Sequence, residues 1–392
     1  MAFWGIVRMS VTLSLDQEGY VRCMRTIVFA LCLVFVSAAF GQAPSSHAAA
    51  SAPLRIAIVG LVHGHVDGFF QGFLKSRDIQ LVGVSEPDQQ LLTKYANRYG
   101  LDSKLLFRDL EQMLKATHPQ AVLVYTNTFD HRGVVEVCAR HGVHVMMEKP
   151  LAVSLADARA MQHAAALGRI HVLVNYETTW YPSNRAAYDL VRENAVGELR
   201  KIVVHDGHQG PKEINVPPEF LAWLTDPKLN GGGALFDFGC YGADLATWLM
   251  GNRLPDTVTA ITQHIKPDVY PHVDDEATII LTYPRTQAIL QASWNWPFGR
   301  KDMELYGRTG SVSTVGRDEI RVQRQEGQVE QIPAKGIPAP FDNSLSYLKA
   351  VVNGEIKPEG LSSLETNVIV TEILDAARRS ADSGKTIRLS DE

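Results

Sequence analysis

The chain predicts an α/β protein, a parallel sheet of right-handed crossovers followed by a second α/β region with antiparallel strands. Two observations carry this. Between residues 54 and 174, short apolar runs alternate with stretches at helical spacing, the pattern of strand–helix–strand units. Beyond residue 199, several strand-like runs alternate apolar and polar side chains, as sheets covered on one face do. A length of 392 residues suits two domains. Hydrophobic content of 45% and charged content of 21% are ordinary for a soluble globular chain. The net charge of −5 argues against a nucleic-acid partner held through its phosphates.

A leader precedes the first strand. Arg22 and Arg25 come before the apolar run 26–40, and Ser37-Ala38-Ala39 and Ala39-Phe40-Gly41 supply small residues at its end. That order is the order of a secretory signal peptide. Residues 1–41 therefore read as a signal region, cleaved near Gly41/Gln42, with Met24 as an alternative start. The run is short for a membrane span of about 20 residues; an uncleaved anchor is the alternative. Residues 42–53, rich in Ala, Ser and Pro, read as a linker. The mature chain is expected to be exported, periplasmic or secreted, and free of the membrane after cleavage. Cys23 and Cys32 fall in the leader, while Cys138 and Cys240 read as buried free thiols, with a single bridge as the alternative.

The first domain is expected over 54–174. Leu54–Gly60 is a short buried strand ending in glycine, and helical spacing follows through Phe69–Leu74. Ile79–Val84 is the next strand, with Glu86 at its end; Asp88–Tyr99 is helical. Gln120–Tyr125 is a third inner strand, His131–His141 a helix, and Val143–Glu148 a further strand. Glycine after strand one and an acid at the end of strand two outline a dinucleotide fold. Glu86 would accept hydrogen bonds from an adenosine ribose, favouring NAD over NADP, whose 2′-phosphate it would repel. The glycine pattern is altered: Gly60 keeps the first place, but Val62 and His65 stand at the second and third. Gly64 offers a close backbone approach two residues later. His63, His65 and Asp67 alternate, yet no third and fourth ligand complete a metal site, so no metal is assigned.

Glu148-Lys149-Pro150 ends the strand with an acid, a base and a proline. Pro150 lacks an N–H and stops the ladder, and its X-Pro bond can be cis. Lys149 stands where open α/β sheets collect ligands.

The second domain is expected over 175–392. Just before it, Ser154–Leu167 is a helix capped by Ser154, and Ile170–Asn175 is a strand at the boundary. Ser183–Asn194 is helical, Leu199–His205 opens a new set of strands, and 207–230 is a long loop. Strands are expected at 256–265, 276–283, 287–296, 302–306 and 318–324, and helices at 342–353 and 363–381. Within this region, Gly231-Gly232-Gly233 opens a helix running to about Met250. Asp237, Tyr241 and Asp244, at i, i+4 and i+7, share one face. An acid and a phenol so placed can exchange a proton with a carbonyl or alcohol, and a nearby ammonium would lower the phenol pKa. A structural reading, with Asp237 as a cap and Tyr241 in the core, stands beside it.

Glu148-Lys149-Pro150 and Gly231–Asp244, roughly 80 residues apart, together resemble the Gfo/Idh/MocA oxidoreductases over about residues 54–385. The resemblance implies an N-terminal Rossmann domain and a C-terminal α/β domain with a large, mostly antiparallel sheet that often forms a homo-oligomer interface. It implies NAD or NADP and hydride exchange with a carbohydrate, polyol or related alcohol. Lys149 matches the family lysine that touches substrate and nicotinamide, and Pro150 the proline that shapes the turn. Asp237 matches the helix acid, and Asn175 a polar residue at the domain junction. Tyr241 falls where many members carry His, and members resembling glucose–fructose oxidoreductase carry Tyr. Val62 and His65 depart from the family glycines; a subset of members carries a loop like Gly60–His65. Cofactor contacts are therefore expected at Gly60, Val62, His63, Gly64, His65, Glu86, Glu148, Lys149 and Pro150. The expected catalytic residues are Lys149, Asp237 and Tyr241, with substrate contacts at Asn175, Trp180 and Asp244. Trp180, Trp223, Trp294 and Trp296 are candidates to stack on sugar faces. Because an exported enzyme meets little free NAD, the cofactor is expected to be tightly held. Transient oxidation with glycoside cleavage, or sugar binding without catalysis, are the alternatives.

Overall fold

The computed structural model describes residues 52–389 apart from residue 326, so the signal region and most of the linker lie outside the described residues. The first sheet has six strands: β1 (Leu54–Val59), β2 (Ile79–Ser85), β3 (Leu106–Phe107), β4 (Ala121–Val124), β5 (His144–Glu148) and β6 (Val172–Asn175). Their order is β3-β2-β1-β4-β5-β6, and every pairing is parallel. The order reverses between β1 and β4, which opens a crevice at their carboxyl ends. β1, β4 and most of β5 are buried on both faces, as Val, Ile and Leu runs under crossover helices must be.

The crossover helices follow from their caps. Asp88 accepts from the Gln90 and Leu91 amides and starts Gln89–Tyr99; Gly100, at φ 63°, ends it. His131–His141 ends at Gly142 in the same left-handed conformation, and Ser154 caps Leu155–Gly168 through the Asp157 amide. Leu110–Thr117, capped by Asp109, is a helix the sequence reading lacked; it is short and buries only Met113 and Leu114.

The second sheet has nine strands: β7 (Leu199–Gly207), β8 (Thr257–Gln263), β9 (Glu276–Thr282), β10 (Gln287–Ser293), β11 (Arg300–Gly307), β12 (Gly310–Val315), β13 (Glu319–Arg324), β14 (Glu330–Pro333) and β15 (Ile387–Arg388). Its order is β14-β13-β12-β11-β7-β10-β9-β8-β15, and only β7 with β10 is parallel. Alternation in β9 and β10 is strict, with Ala277, Ile279, Leu281, Ala288 and Leu290 on the covered face. The helices Gly239–Leu249 and Leu364–Ser383 cover that face. A later helix, Ser344–Val352, returns to the first sheet, where Leu345, Leu348 and Val351 share a core with Leu54, Ile56 and Ile58. Cys138 and Cys240 are buried and free.

The glycine-opened segment differs from its expectation. It is two helices, Ala234–Asp237 and Gly239–Leu249, broken at Phe238. The three glycines answer to a neighbouring strand connection. The Asp274 carboxylate accepts from the Gly233 amide at 2.8 Å and the Leu235 amide at 2.6 Å. A Cβ on Gly233 would lie 1.8 Å from the Asp274 carbonyl oxygen, and one on Gly231 would meet the Phe236 ring. Glycine here is needed for close approach.

Candidate active site

β5 ends at Glu148, and the Lys149–Pro150 peptide bond is cis. Lys149 is 5% exposed, and its Nζ donates to Asp237 Oδ1 at 2.5 Å and to the Asp237 carbonyl at 3.0 Å. Asp237 Oδ2 accepts from Trp294 Nε1 at 2.9 Å. Both charges are thus buried and paired, the condition under which burial of ions is tolerated. Burial alone would push Lys149 down, but the Asp237 carboxylate holds it above its ordinary value. Burial would likewise raise Asp237, and the Lys149 charge and hydrogen bond hold it below the ordinary carboxylate range. Trp294 is fully buried, so it orients Asp237 and has no face for a sugar.

Tyr241 is 2% exposed and lies beside this pair. Lys149 Nζ is 5.3 Å from its ring centroid and Lys301 Nζ 4.7 Å, both over the ring. The expected lowering of the phenol pKa is corrected here. Burial, with Cys240, Glu177 and Asp237, pushes Tyr241 well above its ordinary value. Lys149 spends its charge on Asp237 and does not offset that burial. Asp244 also departs from its expected place. It is 1% exposed and neither oxygen has a hydrogen-bond partner. Lys149, Asp237, Tyr241 and Asp244 all lie outside the lining of the cavity described below, but Asp244, unlike Asp237 and Tyr241, has no contact with the buried Lys149 ammonium. Burial pushes its pKa well up, and it sits in the core.

The nucleotide loop follows β1. Gly60, at φ 81°, makes the turn against Thr126, whose atoms a Cβ would approach to 2.6 Å. Glu86, 5% exposed, accepts from the Leu61 amide at 2.8 Å and the Asp88 amide at 2.9 Å. Its carboxylate therefore ties the loop to β2. Burial, the largest influence on it, raises its pKa. Gly64 does not offer the open approach expected of it. A Cβ there would lie 2.8 Å from Phe220, so that ring fills the space. Phe220 belongs to Pro218–Leu224, a helix within the expected long loop, which packs on the nucleotide loop. Trp223 Nε1 donates to the Val62 carbonyl at 3.2 Å, and Lys94 pairs with Glu219 at 2.7 Å. Trp223 is thus a packing residue. Val62 is half-buried, and His63 is buried between Phe220 and Trp223, with centroids 4.5 and 5.5 Å away.

A cavity of about 490 Å³ opens at the carboxyl ends of β4, β5 and β6, lined in part by Gly64, His65, Glu148, Asn175, Glu177 and Trp180. Asn175 Nδ2 donates to Glu148 Oε1 at 3.1 Å, and Trp180 Nε1 donates to Asn175 Oδ1 at 3.0 Å. Asn175 and Trp180 thus reach the cavity wall together, with Trp180 also against Tyr347. These residues fit a dinucleotide at the crevice: a glycine turn at Gly60, an acid at the end of β2, a buried ammonium beyond β5 and a cavity beside it.

Two residues that sequence reasoning missed stand at this junction. Asp206 on β7 is 1% exposed, and neither carboxylate oxygen has a hydrogen-bond partner. Lys301 on β11 is its cross-strand partner and forms an ion pair with Glu177. Burial pushes Asp206 well up, and Lys301 opposes that. The register that sets them side by side joins strands almost a hundred residues apart, so local pattern carried no sign of it.

Comparison with known proteins agrees with this architecture. Residues 54–176 match the model of an oxidoreductase family with an NAD-binding Rossmann fold, and residues 184–313 match the GFO/IDH/MocA C-terminal domain. The chain is 24% identical over 229 residues to a trans-1,2-dihydrobenzene-1,2-diol dehydrogenase of Macaca fuscata fuscata, covering 58% of this chain and 64% of that relative. The match thus spans less than two thirds of that dehydrogenase. D-apiose dehydrogenase of Paraburkholderia graminis is 24% identical over 339 residues, covering 80% of this chain and 84% of its own. The crystal structure of aldose-aldose oxidoreductase from Caulobacter crescentus, complexed with glycerol, superposes with a TM-score of 0.74 at 24% identity, covering 86% of this chain and all of that one. With both domains matched in order, the chain belongs to the Gfo/Idh/MocA oxidoreductase family.

Proposed function

We propose that this chain is an NAD(P)-dependent oxidoreductase acting on a CH–OH group of a sugar, polyol or related alcohol. The observation that carries the reading is the buried Lys149–Asp237 pair beside Tyr241, at the carboxyl edge of the first sheet. Gly60, Glu86, His65, Glu148 and Lys149 are the residues that would hold the dinucleotide, and the Glu86 carboxylate favours NAD. The dinucleotide, when bound, supplies the hydride acceptor or donor. Lys149 brings a fixed positive charge to a substrate oxygen as negative charge develops on it. Asp237 keeps that ammonium charged, and Trp294 keeps Asp237 in place. Tyr241 lies beside that ammonium, and its hydroxyl is the group proposed to protonate the substrate oxygen once arriving hydride turns it into an alkoxide, a base stronger than the phenolate. In the oxidative direction it takes the proton only in step with loss of hydride. Asn175 and Trp180 line the space for the substrate.

The experiment is a polyol and aldose panel with purified full chain, followed by nucleotide absorbance. Lys149→Met is expected to lower kcat by about 10²–10⁴-fold, the usual weight of a positioned proton or charge group. An unchanged kcat would overturn the role of Lys149.

Asp206 favours one second reading, glycoside cleavage through transient oxidation. Elimination next to a ketone needs a further acid or base, and Asp206, a buried carboxyl with no hydrogen-bond partner and a pKa raised by burial, is the candidate. Product assay separates the readings, a ketosugar against a free reducing sugar. Export and tight cofactor retention belong to the same proposal, and so does homo-oligomerisation through the second sheet. They are supported by the arginine–apolar–small pattern of residues 22–41 and by the long strand face. N-terminal sequencing of the mature protein and light scattering test export and assembly.

A further inference from the structure

The histidines of the altered loop have a third partner that the sequence did not reveal. Glu148 arrives from β5, and one ligand atom each from His63, His65 and Glu148 lies within 4.8 Å of the others. Asp67, the third member of the alternating run, is elsewhere, paired with Arg98 at 3.1 Å and bonded by Tyr99. We propose that His63, His65 and Glu148 form a binding site for one divalent first-row transition cation, open to the cavity.

Four features support the site. His65 Nδ1 and Glu148 Oε2 are 3.0 Å apart, the separation of adjacent ligands around an ion at about 2.1 Å in octahedral geometry. His63 Nε2 is buried and has no hydrogen-bond partner, a state that a buried polar atom rarely keeps. Glu148 Oε1 is held by Asn175, which fixes the carboxylate from behind, and Oε2 faces His65 Nδ1, so the ion would take the place of the proton now shared between them. His65 is the half-exposed member and faces the cavity, so the remaining positions are open to water or a substrate oxygen. Two imidazoles and a carboxylate on one side of an ion suit Fe²⁺, Mn²⁺, Co²⁺ or Zn²⁺ over Ca²⁺ or Mg²⁺. The imidazoles must be neutral to bind. The neighbouring ammonium of Lys149 is neutralised by Asp237, so it does not repel the ion outright. Binding through Nε2 moves the proton of His63 to Nδ1 and breaks the 3.2 Å contact from the His65 amide, a local adjustment of the loop.

The site shares His65 and Glu148 with the proposed dinucleotide contacts, so its metal readout is taken without added nucleotide and can fail or hold whatever becomes of the dinucleotide reading. Its test uses the purified full chain, stripped with chelator and titrated with Co²⁺. The expected result is one ion per chain with visible d–d absorption. His63→Ala, His65→Ala and Glu148→Gln are each expected to weaken binding by about 100-fold, while His144→Ala binds as the parent does. Elemental analysis of the unstripped protein is expected to find one transition metal per chain. Absence of stoichiometric Co²⁺ binding by the parent chain would overturn the proposal, as would binding that survives all three substitutions. Should a variant fail to fold, the parent titration decides alone.

Discussion

At the residue scale, the site is organised around one buried ion pair. Lys149 and Asp237 are each about 95% removed from solvent, and each depends on the other for its charge. Removing one partner leaves an uncompensated buried ion, at a cost of about 3–5 kcal/mol. Asp237→Ala is therefore expected to lower the unfolding free energy by about that amount, measured by urea denaturation, whereas the surface pair of Arg185 with Asp189 is expected to change it by about 0–1 kcal/mol. The pH dependence follows from the signs. The Asp237 pKa is held down, so its contribution is present above the ordinary carboxylate value and lost as pH falls through the lowered one. The Lys149 pKa is held up, so its contribution is present below the ordinary lysine value and lost as pH rises through the raised one. Between those limits the pair is expected to contribute a pH-independent term. Tyr241 gives a second expectation. Because burial raises its pKa, activity is expected to show no alkaline limb at the ordinary tyrosine value of about 10. Tyr241→Phe is expected to lower kcat by about 10²–10⁴-fold with KM little changed, read from a steady-state titration.

At the element scale, the glycine-opened segment positions Asp237. Its fit against Asp274 gives a direct check. Gly233→Ala drives a Cβ into a backbone carbonyl, which cannot rotate away, and is expected to lower Tm by several degrees and shift the two short helices together. Asp274→Ala removes the acceptor of two amides and is expected to destabilise by about 1–2 kcal/mol in a thermal or urea melt. These elements also show what sequence can and cannot reveal. The strand-end lysine, the helix acid and the cap at Ser154 were legible, because each depends on neighbours a few residues away. The break at Phe238 was not, because the residues on either side keep helical spacing. β12 and β14 escaped notice, the first as a short Ser-rich run and the second as four exposed residues with no apolar face. Asp206 and Lys301 became site residues only through strand register, which no local period encodes. Gly64 was misread for the same reason: Phe220, the ring that fills its space, is about 150 residues away in the chain.

At the scale of the whole molecule, the site lies where the two sheets contribute to one junction. Lys149 comes from the end of the first sheet, while Asp237 and Tyr241 come from helices packed on the second. The helix Pro218–Leu224 lies against the nucleotide loop, and its ion pair and hydrogen bond tie it there. A dinucleotide held under such a cover is expected to leave slowly. Trp223→Ala, which removes the hydrogen bond and the ring over His63, is expected to raise the dissociation rate of bound NAD(H), followed by nucleotide fluorescence. Whether a dinucleotide sits at this junction is read from the purified full chain. Denaturation should release a compound with the absorbance and mass of NAD(H) or NADP(H). If purification has stripped it, added dinucleotide should bind at one per chain, and a sugar or polyol should change its redox state only when Lys149 is present. A chain that neither releases nor binds a dinucleotide would contradict the account.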